Sequence, residues 1–374
     1  MKNLLKKDGF LDFSSSVLAI IIGLLFGFII ILIANPGNAL DGFMTLLTGV
    51  LSGGMSDYGK VLYYAVPIIM TGLSVGFAFK TGLFNIGTPG QFIVGAFAAV
   101  YIGVNWTFLG PVHWLVALLG AGLAGAVWAL VPGLMKAYLN VNEVIASIMM
   151  NYIGMYTVNY LVTKTVYDAF KNQSLEVAST AVIPKLGLDK IFTNSPANAG
   201  ILIAILMVII IYIVLNKTKL GYEMKACGFN RDASRYAGIN EKKNIVLSMA
   251  IAGALAGIGG GLSYLAGTGR YIEVVDVLAA DGFNGIPVAL LGLSNPIGVL
   301  LAGLFISYLN VGGFMMQSYG FIPQIVDIII SCIIYFSAFS LMMKVWLSNR
   351  ANKKRKKDET SKLTGGDFTF YFNR

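Results

Sequence analysis

Long apolar segments dominate this chain and limit what it can fold into. A helix needs about 20 residues to cross about 30 Å of hydrocarbon, and apolar segments of about that length recur along the whole sequence. Hydrophobic residues make up 56% of the 374 residues and charged residues only 12%. With a mean hydropathy of +0.75, such a chain cannot present a water-soluble surface. The sequence therefore predicts an all-α, polytopic membrane protein.

Ten candidate spans can be placed along the sequence. They lie near 15–34, 61–79, 88–104, 113–137, 143–163, 199–215, 244–266, 278–293, 297–312 and 323–345. The third, eighth and ninth are short or interrupted by glycine. The 44 glycines of the chain predict helices that pack backbone to backbone or break within the membrane.

Three regions follow from these spans. A cytoplasmic tail is predicted at 1–14, a transmembrane domain at 15–345 with a long cytoplasmic loop at 216–243, and a basic cytoplasmic tail at 346–374. The first span has a long apolar core and is interpreted as an uncleaved anchor.

Basic residues indicate the orientation of the chain. If the amino terminus is cytoplasmic, ten spans put the carboxyl terminus there too, and 21 of the 27 lysines and arginines fall on the cytoplasmic side. The positive-inside rule favours this arrangement. The distribution of the basic residues behind the net charge of +9 is therefore explained by the membrane topology, and nucleic-acid binding is not expected. The single histidine, His113, cannot build a metal site and is expected at a membrane interface.

Two glycine-rich segments interrupt the apolar pattern at corresponding places in the two halves of the chain. They are residues 80–91 and 281–287, and each contains a Phe-Asn pair beside glycine. Peptide groups outside helices at membrane depth must face protein or a wet cavity. Paired breaks indicate two pseudo-repeated halves with a substrate route between them. The alternative, that the glycines only let helices approach closely, stays open.

Polar groups inside the predicted spans also need partners. A charged carboxylate at the bilayer centre costs roughly 2.5–3.5 kcal/mol on insertion scales, so each should face the bundle interior, water or a partner. Asn142 and Glu143 can cap the start of their helix, which favours a structural role for them. The same role is expected for Asp281 and Asp327. The alternative is an ion-coupled secondary transporter or channel that uses Glu143, Asp281 or Asp327 as a relay.

The cytoplasmic loop 216–243 carries signals for short surface helices. One helix is predicted at about 231–237, preceded by a second short segment from about 222 to 227. The capping signals are Asn230 before the helix, Asp232 in its first turn, Arg235 in its last turn and Gly238 after it. A loop that is only solvated needs no such caps, so a docking surface for another protein is favoured over that alternative.

Catalytic signatures are absent from the sequence. It has no phosphate-binding G-x-x-x-x-G-K-[ST] loop, no nucleophile elbow, no H-E-x-x-H and no cluster of cysteine and histidine. The chain is therefore not expected to be an enzyme, to bind a metal or to bind ATP itself.

Four motifs together resemble a known family. They are 81–87 with Gly90 and Gln91, 142–145 with 148–153, 221–230 with 233–239, and 282–292. On these residues the chain is similar to the ABC transporter permeases of the branched-chain amino acid and simple-sugar importer superfamily, and within it to the permease subunit of bacterial nucleoside importers. Pro89 and Pro287 depart from the residues usual in that family.

The resemblance implies a type II importer-like fold in the bacterial plasma membrane. It also implies several partners: an ATP-binding subunit that holds ATP and magnesium, a second related permease subunit, an extracytoplasmic substrate-binding lipoprotein and membrane lipid. The cargo would be nucleosides or related small polar solutes, moved by alternating access. Contacts with the ATP-binding subunit are predicted for Arg231, Asp232, Ala233, Arg235 and Tyr236. The predicted pathway residues are Asn85, Gln91, Asn151 and Asn284 as polar lining, with Phe84 and Phe283 as stacking faces.

Overall fold

Helices account for nearly all of the regular structure in the computed structural model, which describes residues 8–339 together with 342 and 345. They are α1 (Asp8–Ala34), α2 (Ala39–Ser52), α3 (Met55–Lys80), α4 (Thr88–Asn105), α5 (His113–Leu139), α6 (Glu143–Thr165), α7 (Leu188–Ile191), α8 (Gly200–Lys217), α9 (Lys219–Phe229), α10 (Arg231–Tyr236), α11 (Glu241–Tyr264), α12 (Ala280–Phe283), α13 (Gly285–Leu291), α14 (Pro296–Met316) and α15 (Gln324–Ala338). One antiparallel hairpin joins β1 (Tyr167–Asp168) to β2 (Gln173–Ser174). The all-α membrane fold is confirmed. All of the predicted basic tail, 346–374, lies outside the described residues, as do residues 1–7 of the predicted amino-terminal tail.

Six helical segments in the described part of the chain are long and apolar enough to cross a membrane. They are Val17–Ala34, Met55–Lys80, Thr107–Leu139, Gly200–Lys217, Glu241–Tyr264 and Pro296–Tyr319. The predicted count of ten is not confirmed. The eighth candidate, 278–293, folds as two short helices, α12 and α13, which are too short to cross individually. The 14-residue helix α2 was not among the predicted spans, since its sequence is shorter than that criterion requires.

Helix α11 packs against α3, α4 and α5 at the centre of the larger unit of the fold, residues 40–323. Glycine brings these backbones together. A Cβ added to Gly257 would lie 2.3 Å from the Ala121 carbonyl oxygen, and one added to Gly95 would lie 2.3 Å from the Gly257 Cα. The high glycine content therefore lets helices pack backbone to backbone, as predicted.

Helices α1 and α15 belong to a second unit, which comprises 8–39 and 324–339 among the described residues. Within it the two helices pack closely through small residues of α1. A Cβ on Gly23 would lie 2.5 Å from the Ile333 Cα, and the rings of Phe26 and Phe336 have centroids 4.8 Å apart.

His113 is held by hydrogen bonds on both sides of its ring, and its expected place at a membrane interface stays a prediction. Its side chain is fully buried at the start of α5. Nδ1 lies 2.8 Å from Thr180 Oγ1 and Nε2 lies 2.9 Å from the Ile102 carbonyl oxygen. Because a carbonyl only accepts, Nε2 carries the proton of that bond. The imidazole therefore joins the start of α5 to the end of α4 and to the loop after the hairpin.

Candidate functional site

The first predicted break is a non-helical segment between α3 and α4, residues 81–87. Asn85 lies in its middle and is fully buried. Its Nδ2 donates to Gln91 Oε1 at 2.8 Å, and Gln91 Nε2 donates back to Asn85 Oδ1 at 3.0 Å. Asn85 Oδ1 also accepts from the Gly87 amide at 3.1 Å. The pair thus provides the partners that backbone outside a helix needs when it is buried.

Asn151, on α6, holds the same segment from the other side. Its Oδ1 accepts from the Gly90 amide at 2.9 Å, and its Nδ2 donates to the Ile86 carbonyl at 2.9 Å. One side chain therefore satisfies a free N–H in the first turn of α4 and a carbonyl of the break. The structure brings together three of the four predicted polar lining residues, and all three are buried.

Ser147 joins this neighbourhood without having been singled out in the sequence. Its hydroxyl is buried and has no hydrogen-bond partner among the described residues. A Cβ on Gly87 would lie 3.2 Å from the Ser147 Cβ, so the unpaired hydroxyl belongs to a residue packed against the break. Serine is too common in helices for its sequence position to have signalled this.

The second break lies directly against the first. Phe283 and Asn284 are half-buried at the junction of α12 and α13. A Cβ on the neighbouring Gly282 would lie 2.3 Å from the Pro89 Cα, so α12 contacts the start of α4 backbone to backbone. Asn284 does not join the amide network, and Phe84 stacks on Phe79 with ring centroids 5.0 Å apart. A pathway role for all six predicted residues stays a prediction.

The remaining polar residues of the spans have distinct surroundings. Asn142 Oδ1 accepts from the Val144 amide at 2.9 Å and caps α6. Glu143 forms an ion pair of 2.7 Å with Lys136, at the end of α5. Asp281 pairs with Arg270, and Asp327 lies exposed in the first turn of α15. Two of the three carboxylates are therefore balanced by a cation.

A cleft of about 510 Å³ opens beside the end of α11. Its walls come from α4, α6, the hairpin and the segment after α11, including Ile93, Met155, Asn159, Gln173, Tyr264, Arg270, Glu273 and Leu278. The hairpin is joined to that segment by a backbone bridge between Gln173 and Glu273. The cleft therefore depends on elements that lie about 100 residues apart in the sequence.

Arg270 is the most constrained side chain of the cleft. Its guanidinium lies 4.9 Å from the centroid of the Tyr264 ring, donates to Ser263 Oγ at 2.6 Å and pairs with Asp281. Burial acts to lower the pKa of Arg270, but Asp281 and Tyr264 raise it, and the net pKa lies above its ordinary value. The side chain is still 37% exposed. A fixed, charged and accessible guanidinium is therefore part of the cleft wall.

Helices α9 and α10 form a surface at the other end of α11. Asn230 Oδ1 accepts from the Ala233 amide at 3.0 Å and caps α10, close to the predicted helix at 231–237. Phe229 and Tyr236 are 91% and 94% exposed. Two large, almost fully exposed aromatic side chains therefore flank α10. We call residues 229–236 the docking surface.

The docking surface and the cleft are separated by the length of a membrane-spanning helix. Helix α11 has 24 residues, which corresponds to roughly 36 Å. It starts five residues after Tyr236 and ends at Tyr264, in the cleft. The two sites therefore lie at opposite ends of α11.

Comparison with known proteins decides the family. The family described as branched-chain amino acid transport system, permease component, matches residues 58–338. The guanosine ABC transporter permease protein of Bacillus subtilis is 39% identical over 88% of this chain and 93% of its own length. The nucleoside ABC transporter permease protein of Lactococcus lactis is 34% identical over 93% and 97%. The chain belongs to this family of ABC transporter permeases.

A third relative widens the range of cargo within the family. The glucose ABC transporter permease protein of Haloferax volcanii is 31% identical to this permease over 96% of the chain and 95% of its own length. No solved structure matches the permease. The relatives are transporter subunits, so the permease is a multi-pass membrane subunit of an ABC importer. The ion-coupled alternative receives no support from them.

Proposed function

We propose that the permease imports nucleosides or related small polar solutes, driven by ATP hydrolysis in a separate subunit. Two relatives that align over nearly their whole length are named as guanosine and nucleoside permeases, which supports this cargo class. Binding of ATP and magnesium is assigned to the partner, because the permease has no phosphate-binding loop of its own.

One contact carries the proposal, namely the backbone contact between α9 and the first break. A Cβ on Gly82 would lie 2.4 Å from the Gly228 Cα. Gly228 precedes the docking surface by one residue, and Gly82 is the second residue of the segment that holds Asn85. A movement imposed on the docking surface therefore displaces the break unless the two backbones separate. Packed elements of this kind transmit small displacements between discrete arrangements.

The docking surface is proposed to contact the ATP-binding subunit. Phe229 and Tyr236 offer the apolar centre of such an interface, and aromatic and arginine side chains are typical anchors. The polar surroundings come from Arg231, Asp232 and Arg235, with Ala233 leaving room for the partner.

The arrangement in the membrane follows from this assignment. The docking surface then lies in the cytoplasm with both chain termini, and the cleft lies on the extracytoplasmic side of the bacterial plasma membrane. A substrate-binding lipoprotein would deliver the solute there, and a second related permease subunit would complete the importer. With ten spans, six basic residues fall on the predicted outer side and 21 on the inner side, which agrees with this orientation.

The route is proposed to run between the two breaks, past Phe84, Asn85, Gln91, Asn151, Phe283 and Asn284. In the present arrangement the side-chain amides of Asn85 and Gln91 bond to each other, and that of Asn151 bonds to backbone of the first break and of α4. Alternating access then requires these bonds to rearrange as the partner closes on ATP.

Two measurements on a double variant and on its control test the proposal. The permease carrying Phe229→Ser and Tyr236→Ser should fold normally, since both side chains are exposed, but it should no longer co-purify with the ATP-binding subunit. Reconstituted uptake of nucleoside should also be lost. Phe170→Ser is the matched control, because this fully exposed ring lies in the hairpin, which is bridged to the segment after α11 and so lies away from the docking surface.

The alternatives give different results. Retention of the partner and of vanadate-sensitive uptake by the double variant would contradict the docking assignment. Uptake that is insensitive to vanadate and is lost when an ion gradient is dissipated would support the ion-coupled transporter instead.

A further inference from the structure

We infer that the cleft is a binding site for guanine-type nucleosides, in which the Glu273 carboxylate accepts hydrogen bonds from the two adjacent N–H groups of the base. This inference rests on the proposed function, because it names the solute class that the permease receives at its outer side. The volume of about 510 Å³ falls within the range of roughly 300–1,000 Å³ that is usual for small-molecule sites.

The position of the cleft suits a solute that is about to cross the membrane. Its lining ends at Ala279 and Ala280, which lead directly into α12. Gly282 of that helix lies against Pro89 at the first break. The lining of the cleft therefore stops two residues before the contact between the two breaks.

The cleft offers a planar surface for a flat ring. Arg270 is held by the Tyr264 ring, by Ser263 and by Asp281, so its guanidinium has little freedom to move. A guanidinium fixed in this way can stack on an aromatic base through its exposed part, which favours nucleobases over aliphatic solutes. The apolar walls near it, Ile93 and Met155 among them, add contact area for a ring.

Glu273 supplies the recognition of the base edge. The residue is exposed, and within the described part of the chain its carboxylate has no hydrogen-bond or ion-pair partner. Its backbone is fixed by the bridge to Gln173. An ionised carboxylate only accepts hydrogen bonds and has two oxygens, which match a pair of adjacent donors. The guanine edge has such a pair in N1–H and the exocyclic amine, whereas hypoxanthine has N1–H alone.

The test uses the complex of the permease with its ATP-binding subunit, without the binding protein, so that only the cleft is available to the solute. Equilibrium dialysis with radiolabelled guanosine and inosine compares the wild type with Glu273→Gln. The variant should weaken guanosine binding by about tenfold or more, as expected for a lost charge-assisted pair, and should weaken inosine binding less. Asp189→Asn, an exposed acid in the same outer region, should change neither.

A second variant tests the stacking surface. Arg270→Lys keeps the charge but removes the planar guanidinium, so it should weaken guanosine and inosine to a similar extent. The inference would be overturned if Glu273→Gln left guanosine binding unchanged or weakened both nucleosides equally. It would also be overturned if the wild type bound glucose more tightly than guanosine, or bound no guanosine. Failure of the proposed function gives a different result, since the complete wild-type importer would then show no ATP-dependent uptake even if the cleft binds guanosine.

Discussion

Replacement of Gly228 by alanine tests the contact between α9 and the first break. A Cβ at this position would lie 2.6 Å from the Thr81 carbonyl carbon and 2.7 Å from the Gly82 amide nitrogen. Ordinary contact begins at 3.4 Å, so the backbones must separate by about 0.8 Å, the difference between those distances. Both neighbouring atoms belong to backbone, which cannot move aside as the end of a flexible side chain does.

The energetic cost has two opposing parts. Overpacking of a close contact destabilises by about 1–3 kcal/mol, whereas exchanging glycine for alanine inside a helix stabilises by roughly 0.5–1 kcal/mol. The expected net effect of Gly228→Ala is a loss of about 1 kcal/mol. ATP-driven uptake should fall as well, because the displaced contact lies between the docking surface and the break.

Gly76→Ala provides the matched control. Gly76 lies within α3, and a Cβ there would have its nearest neighbours at 3.5 Å, which is ordinary contact. This variant should gain roughly 0.5–1 kcal/mol and keep full uptake. Thermal unfolding of the purified variants in detergent measures the stability difference, and reconstituted vesicles measure uptake. Two variants of equal stability, or undiminished uptake by Gly228→Ala, would refute the proposed contact.

Two further predictions concern single buried groups. Asn85→Ala should lower the free energy of unfolding by about 1–3 kcal/mol, because it leaves a buried amide partner unpaired. Asn105→Ala, at the exposed end of α4, should lower it little. Equal unfolding temperatures for the two variants would argue against the network. Burial raises the pKa of the Cys227 thiol, so less thiolate is present at neutral pH. In a Cys332→Ser background the Cys227 thiol should react with maleimide more slowly than the thiol introduced by Tyr222→Cys. The native Tyr222 side chain is 69% exposed. Equal labelling rates would show that α9 does not bury the thiol.

Local signals predicted much of the helical pattern. The capping residues Asn142 and Asn230 act on amides two and three residues away, so the sequence contains all the information they need. The break at 81–87 was located for the same reason, since glycine and proline affect the backbone where they stand.

Tertiary contacts account for what the sequence left undetermined. Asn151 meets Gly90 across 61 residues, and no spacing rule specifies that pairing. The local sequence around Arg270 does not indicate its contacts with Tyr264 and Asp281, which make it part of the cleft. The hairpin and the segment after α11 are joined by a backbone bridge between Gln173 and Glu273, and no side-chain pattern in the sequence indicates that bridge.

Uptake by the purified permease, measured with and without its ATP-binding subunit, tests the central claim most directly. With the ATP-binding subunit, the second permease and the binding protein present, nucleoside should accumulate in vesicles only when ATP is supplied. The permease alone should accumulate none, whatever ion gradient is imposed. Accumulation by the permease in the absence of an ATP-binding subunit would contradict the account.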